Sequence, residues 1–270
     1  MGSNIYDCVK TMRYNTVVIT GAANGIGMQL AIILSKQCDS LVLIDLESPR
    51  VLEDVVDICL SNGCEVYFTS LDVTLEKELH SYLAQTLTNI GAVDLVIAAA
   101  GISPKVRDQQ DSYDRNLLME TNYYGVANTF SFFLKNFVDA EVREIKFVAI
   151  TSIASKVATH NSGYYSASKA ALAKYIDALR LKYGDTKFEF HEIVCGFVDT
   201  RVNAGLKHAK GIMISDNRAA KLINRAIARK FKRIHSIPKF QNFPWFALSI
   251  SPLALRNLFL SRLYKIIYKK

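Results

Sequence analysis

A tyrosine and a lysine four residues apart, Tyr165 and Lys169 in GYYSASKAAL (163–172), offer the most chemistry in this chain. Residues at i and i+4 of a helix share a face, whereas Tyr164, five positions from Lys169, is turned away. If there is a pair, it is Tyr165 with Lys169. A phenol with its ordinary pKa near ~10 is too basic to take a proton at neutral pH. An ammonium roughly 5 Å away, at an effective dielectric of about 20, favours tyrosinate by ~3 kcal/mol, or about two pKa units. Such a pair suits proton transfer to or from a substrate oxygen. The spacing alone is common by chance, so the rest of the chain must decide.

A second cluster sits near the start. An apolar run ends in TGAANGIG (20–27), with glycines at 21, 25 and 27 and Asn24 and Ile26 between them. Glycine permits a tight turn and a close backbone approach, and a following helix N-terminus offers free N–H groups to a pyrophosphate. Asp45 ends the next apolar run, 24 residues after Gly21. A carboxylate there accepts both ribose hydroxyls and repels a 2′-phosphate, so NAD(H) is expected over NADP(H). Arg50, beyond Ser48 and Pro49, is the nearest cation that could rescue phosphate binding.

These motifs, in order, resemble the short-chain dehydrogenase/reductase family over roughly residues 13 to 235. TGAANGIG is similar to the family's T-G-x-x-x-G-x-G, and LDV (71–73) supplies Asp72 and Val73 at the adenine position. TNYYG (121–125) supplies the helix asparagine as Asn122. TSIAS (151–155) supplies the serine as Ser152, with Y-x-x-x-K at Tyr165 and Lys169. The resemblance implies that Tyr165 acts as acid–base group and Ser152 holds the substrate oxygen. It also implies that Lys169 hydrogen-bonds the nicotinamide ribose, Asn122 anchors a water, and Ala100, Val198 and Thr200 lie along the cofactor. Two departures stand out. AAAG (98–101) replaces the family's N-N-A-G, and Cys195–Gly196 replaces its Pro-Gly. Cys195 is expected to pack rather than attack, since no histidine partners it. Tyr164 is expected to pack or to line the pocket, and His160 to sit in a surface loop. RVNAGLKHAKGIMIS (201–215) occupies the place of the substrate lid.

The elements that must position these residues are legible as alternation. β-branched runs at 16–20, 41–45, 66–72, 93–101, 145–152 and 188–196 alternate with segments of helical spacing, and a weaker seventh run lies near RIHSIPKF. Near-continuous apolar strands between amphipathic helices indicate a parallel sheet covered on both faces. The expected architecture is α/β, a single Rossmann-like doubly wound sheet of about seven strands, in a domain spanning 13–240. A basic amphipathic extension, 241–270, follows it.

Composition narrows the class. Of 270 residues, half are apolar and 21% charged, as in a globular protein. The segment MGSNIYDCVKTMRYNTVVITG lacks an apolar core of signal-peptide type, so a cytoplasmic protein is expected. Five cysteines (Cys8, Cys38, Cys59, Cys64, Cys195) form no C-x-x-C and read as buried free thiols. The histidines show no metal-ligand spacing, and no metal is expected.

The net charge of +8 is carried by one end. From Arg218 to Lys270 there are 13 Lys and Arg and no Asp or Glu, leaving 20 basic and 25 acidic residues ahead of it. On a helical wheel, Leu255, Phe259, Leu260, Leu263, Ile266 and Ile267 share a broad face, with Arg262, Lys265 and Lys269 opposite. Two readings stay open: an interfacial helix on an anionic membrane, peripheral at the inner face, over 243–270, or a helix packed on the pocket or a subunit partner. Arg256 and Arg262 argue against a spanning helix, and so apolar a tail argues against nucleic acid.

The expected activity is hydride transfer between NAD(H) and an apolar or lipid-linked alcohol or ketone, in a homo-oligomer. The alternatives are reduction of a keto-sugar during epimerisation of a lipid-linked sugar, and a catalytically silent NAD-binding scaffold. An intact proton relay argues against the scaffold, which has no need of one.

Overall fold

The computed structural model describes residues 13–90, 92–103, 115–137, 144–158, 162–200, 212–229, 233–239 and 246–268. The elements are β1 (Tyr14–Thr20), α1 (Gly25–Leu34), β2 (Cys38–Asp45), α2 (Pro49–Ser61), β3 (Glu65–Ser70), α3 (Glu76–Leu87) and β4 (Val93–Ala98). Then come α4 (Arg115–Met119), a π-helical turn (Glu120–Tyr124), α5 (Gly125–Phe137), β5 (Ile145–Ser152), a 3-10 turn (Ile153–Ser155), α6 (Gly163–Lys182) and β6 (Phe188–Cys195). The last are β7 (Val198–Asp199), β8 (Ile214–Ser215), α7 (Asp216–Ile227), β9 (Ile234–Ile237) and α8 (Leu253–Tyr268).

Seven strands form one parallel sheet in the order β3-β2-β1-β4-β5-β6-β9, and β7 pairs with β8 separately. β1 is central because Val17, Val18 and Ile19 have no accessible surface and need cover on both faces. On one face Leu30, Leu34, Leu52, Ile223 and Ile227 of α1, α2 and α7 pack on Val17, Ile19, Leu41 and Leu95. On the other, Leu79, Phe130, Phe133, Leu172 and Ile176 of α3, α5 and α6 pack on Val18, Val42, Val96 and Phe147. The chain leaves β3 for β4 by crossing back past β2 and β1. The order therefore reverses between β1 and β4, and the crevice beyond the carboxyl ends of those strands is where such sheets bind ligands.

Three boundaries differ from the sequence reading. α1 stops at Leu34 because the Ser35 hydroxyl donates to Ile32 O and Gln37 N to Leu34 O, so β2 already begins at Cys38. β3 ends at Ser70, ahead of Asp72, and β4 at Ala98, ahead of the small-residue turn. The sixth strand is not an apolar run either: Glu189, His191 and Glu192 lie inside it, His191 and Glu192 with no accessible surface. Among the described residues no helix is long and apolar enough to cross a membrane. Cys38, Cys59, Cys64 and Cys195 are free and buried, as expected.

Candidate active site

The glycine loop follows β1, and its conformation demands glycine. Gly21 (φ +73°) passes so close to the end of β4 that a Cβ on it would lie 2.4 Å from Ala100 N and 2.6 Å from Ala99 C. A Cβ on Gly27 would fall 1.9 Å from Gly21 O. Ala98 and Ala99 stand where the family has asparagines, and beside them the turn is filled by backbone. Gly25 (φ +54°) opens α1, and a Cβ there would meet Thr200 Cγ2 at 3.1 Å, which places Thr200 over the loop. Asn24, the residue before α1, turns its side chain to Glu47 instead of capping, so the first-turn N–H groups of Gly25, Ile26 and Gly27 face outward as an anion cradle.

Asp45, at the end of β2, accepts from Ala23 N at 2.8 Å and from Glu47 N at 3.0 Å. Glu47 thus stands beside it as a second carboxylate that the sequence reading passed over. Arg50 is exposed in the first turn of α2. Asp72 closes its own turn by accepting from Thr74 N, and buried Val73 packs on Gly125, where an added Cβ would meet it at 2.5 Å. Val198 is buried in β7. The loop, the turn and the carboxylate fit a dinucleotide.

Further along the same edge, Ser152 ends β5 and caps the 3-10 turn, its hydroxyl accepting from Ala154 N. α6 delivers Tyr165 and Lys169 from one face, with Tyr165 hydrogen-bonded to Ser152. Tyr164 is 47% exposed, so it does not pack in the core. Position five from Lys169 points to solvent. Lys169 donates to Ile150 O at 3.0 Å. A Cβ on Gly101 would lie 3.3 Å from Lys169 Nζ and 3.1 Å from Asn122 Oδ1, which puts those two side chains together at the end of β4. Asn122 is fully buried in the π-helical turn; its Oδ1 accepts from Ile102 N at 2.8 Å, and its Nδ2 donates to Ile102 O and to Ser168 Oγ. π-turns recur at functional sites. Neither this turn nor the part of Ser168 is signalled by residue type.

The electrostatics correct one expectation. Burial pushes the Tyr165 hydroxyl up to about 12, its hydrogen bond with Ser152 pulling the other way, while burial lowers Lys169 to about 8. The protein's own groups therefore keep Tyr165 protonated, because burial outweighs the hydrogen bond with Ser152. Burial raises the Cys195 thiol to about 12, which makes it a packing residue and not a nucleophile. His160 and residues 201–211 of the lid lie outside the described residues, as does Cys8. Among the described residues no group of His, Cys, Asp and Glu could hold a metal.

A model of the short chain dehydrogenase family matches residues 15–211. The chain belongs to that family. An uncharacterized oxidoreductase of Myxococcus xanthus is 26% identical over 235 residues, covering 87% of this chain and 89% of its own length. The structure is similar to a 3-oxoacyl-[acyl-carrier protein] reductase from Brucella melitensis in complex with NAD (TM-score 0.75, 19% identity, 89% and 99% of the two chains). It is equally similar to a short chain dehydrogenase from Burkholderia cenocepacia in complex with NADP (TM-score 0.76, 19% identity, 91% and 97%). Those two likenesses show the fold. As a short-chain dehydrogenase, the protein is an oxidoreductase that uses a nicotinamide cofactor.

Proposed function

We propose that this dehydrogenase moves a hydride between NAD(H) and an apolar or lipid-linked alcohol or ketone. The observation that carries the reading is the convergence of Tyr165 on Ser152 and of Lys169 and Asn122 on Gly101, all beside the glycine loop. Gly21, Gly25, Ile26 and Gly27 would hold the pyrophosphate, and Asp45 the adenosine ribose, with Asp72 and Val73 near the adenine. Ala100, Val198, Thr200 and Lys169 would line the nicotinamide end. When bound, the nicotinamide supplies or accepts the hydride. Tyr165 passes a proton to or from the substrate oxygen, Ser152 hydrogen-bonds that oxygen, and Lys169 with Asn122 reloads the tyrosine. With Tyr165 protonated at neutral pH, the proton needed for carbonyl reduction is in place, whereas alcohol oxidation must first remove it.

The cofactor preference rests on two carboxylates. Asp45 and Glu47 together disfavour the 2′-phosphate of NADP(H), and Arg50, the nearest cation in sequence, is exposed. The substrate class rests on the tail. Phe246, Ile250, Leu255, Leu258 and Phe259 are each about half exposed or more, in a segment whose only charges are positive. Such a surface fits an anionic membrane, where an apolar or lipid-linked substrate resides. The test of function is a screen of hydroxysteroids, long-chain alcohols, polyprenyl-linked sugars and their ketones, read as NADH absorbance. Turnover of none of them by wild-type protein, or equal turnover by Tyr165→Phe, would overturn the reading.

A further inference from the structure

β6 carries a carboxylate where an apolar strand residue belongs. Glu192 has no accessible surface, and it faces the same side of the sheet as Phe188 and Phe190. Burying a carboxylate is costly, and an aliphatic side chain of similar volume is usually no worse for stability. Its partners show what the charge does. Glu192 Oε1 accepts from Thr151 Oγ1 at 2.9 Å and pairs with Lys156 Nζ at 3.2 Å. Thr151 immediately precedes Ser152, and Lys156 follows the 3-10 turn that Ser152 caps. One carboxylate oxygen thus grips both ends of the six-residue segment that presents the Ser152 hydroxyl.

Within that segment the bonds are short-range: Ala154 N to Ser152 Oγ, Ser155 Oγ to Ser152 O at 2.7 Å, and Lys156 N to Ile153 O. They shape the turn but do not fix it to the sheet. The described side-chain ties from this turn to the neighbouring strand run through Thr151 and Lys156, and each of these residues reaches Glu192. Thr151 Oγ1 is also within 3.2 Å of Ile193 O. The guanidinium of Arg180, on the helix that carries Tyr165 and Lys169, interacts electrostatically with the same carboxylate and donates to Phe190 O at 3.0 Å. Glu192 therefore sits between the segment that presents Ser152 and the helix that presents Tyr165.

We propose that Glu192 is a positioning residue for Ser152, acting through Thr151 and Lys156. The proposal rests on the reading of Ser152 as the group that holds the substrate oxygen. The clamp itself is tested without any substrate, by amide hydrogen exchange of the full-length protein. In Glu192→Gln and in Lys156→Gln the amides of 152–157 should exchange about tenfold faster than in wild type, while those of β1 stay unchanged. Lys156 is partly exposed, so its variant folds even if the buried one does not. Unchanged exchange in 152–157 would overturn the proposal.

The kinetic arm uses cyclohexanol oxidation with NAD+. Glu192→Gln should lower kcat about tenfold with the KM for NAD+ unchanged, Glu192→Asp should restore part of it, and Glu192→Gln should add no loss in a Ser152→Ala background. Losses that multiply in the double variant would overturn the positioning role. If exchange responds but wild-type protein leaves cyclohexanol and the screened alcohols untouched, the clamp stands and the assignment of Ser152 has failed.

Discussion

Asp45 Oδ2 accepts the backbone N–H of Ala23 at 2.8 Å, so the carboxylate that would read the ribose is also a strut of the phosphate loop. Replacing Asp45 with Asn keeps much of the strut and removes the charge. Calorimetric titration of wild type should show NADH binding at least about tenfold tighter than NADPH, or ~1.4 kcal/mol, and Asp45→Asn should narrow that gap. Tighter NADPH binding by wild type would overturn the cofactor assignment.

Tyr165→Phe should abolish turnover and leave NADH binding near wild type, since in the proposed function the hydroxyl acts on substrate and not on cofactor. Tyr164→Phe, at an exposed position, should retain most of the activity. Lys169→Met should weaken both cofactor binding and rate. An inactive Tyr164→Phe would refute the choice of tyrosine.

Gly21→Ala places a methyl within 2.4 Å of Ala100 N at a φ of +73°. Backbone atoms on both sides cannot yield, so the variant should lose on the order of 2–4 kcal/mol of stability and its NADH binding. Gly63→Ala, also at positive φ but with nothing within 4 Å, should cost only ~1 kcal/mol. Urea unfolding of both variants separates crowding from strain.

The doubly wound seven-strand sheet and the pairing of motif with element were readable from the sequence because each rests on periodicity or fixed spacing. Tyr165 and Lys169 share a helical face whatever surrounds them. What could not be read depends on neighbours distant in sequence. The protonated Tyr165 follows from its burial, Asn122 sits in a π-turn that no residue type announces, and Glu192 is paid for by partners 36 and 41 residues away. Glu47 escaped notice because only the turn after β2 brings it beside Asp45.

Stability should fall in acid through His191. This histidine is fully buried; its Nδ1 lies 3.1 Å from His235 Nε2, and its Nε2 lies 3.3 Å from Glu189 Oε1, which belongs to a carboxylate paired with Lys146. Burial, aided by Lys146, Arg180 and Arg233 and opposed by Glu144, lowers it to about 4. The unfolded chain therefore binds the extra proton first as pH falls below ~6.5, and stability is lost progressively down to about 4. The loss is on the order of 3 kcal/mol, and His191→Gln should flatten it in urea titrations between those pH values. Equal acid sensitivity in the variant would refute the assignment.

Full-length protein should co-sediment with vesicles containing phosphatidylserine or cardiolipin, weakly with neutral ones, and less as salt rises. The five basic residues from Arg256 to Lys270 contribute at most ~1 kcal/mol each near such a surface. Removing 243–270 should abolish binding without lowering the melting temperature. A truncated protein that aggregates, beside a full-length protein that ignores anionic vesicles, would favour a packed tail instead.

The π-helical turn between α4 and α5 amounts to one surplus residue accommodated by a helix. It lets Leu118 on one side and Val126 and Phe130 on the other keep their own faces on the core, while Asn122 is aimed at Ile102. The surplus is separable from the scaffold. Deleting one residue from 120–124 would leave an unbroken α-helix with both hydrophobic faces in phase and the asparagine out of phase. A single codon thus divides a helix that only supports the sheet from one that also serves the chemistry at its edge.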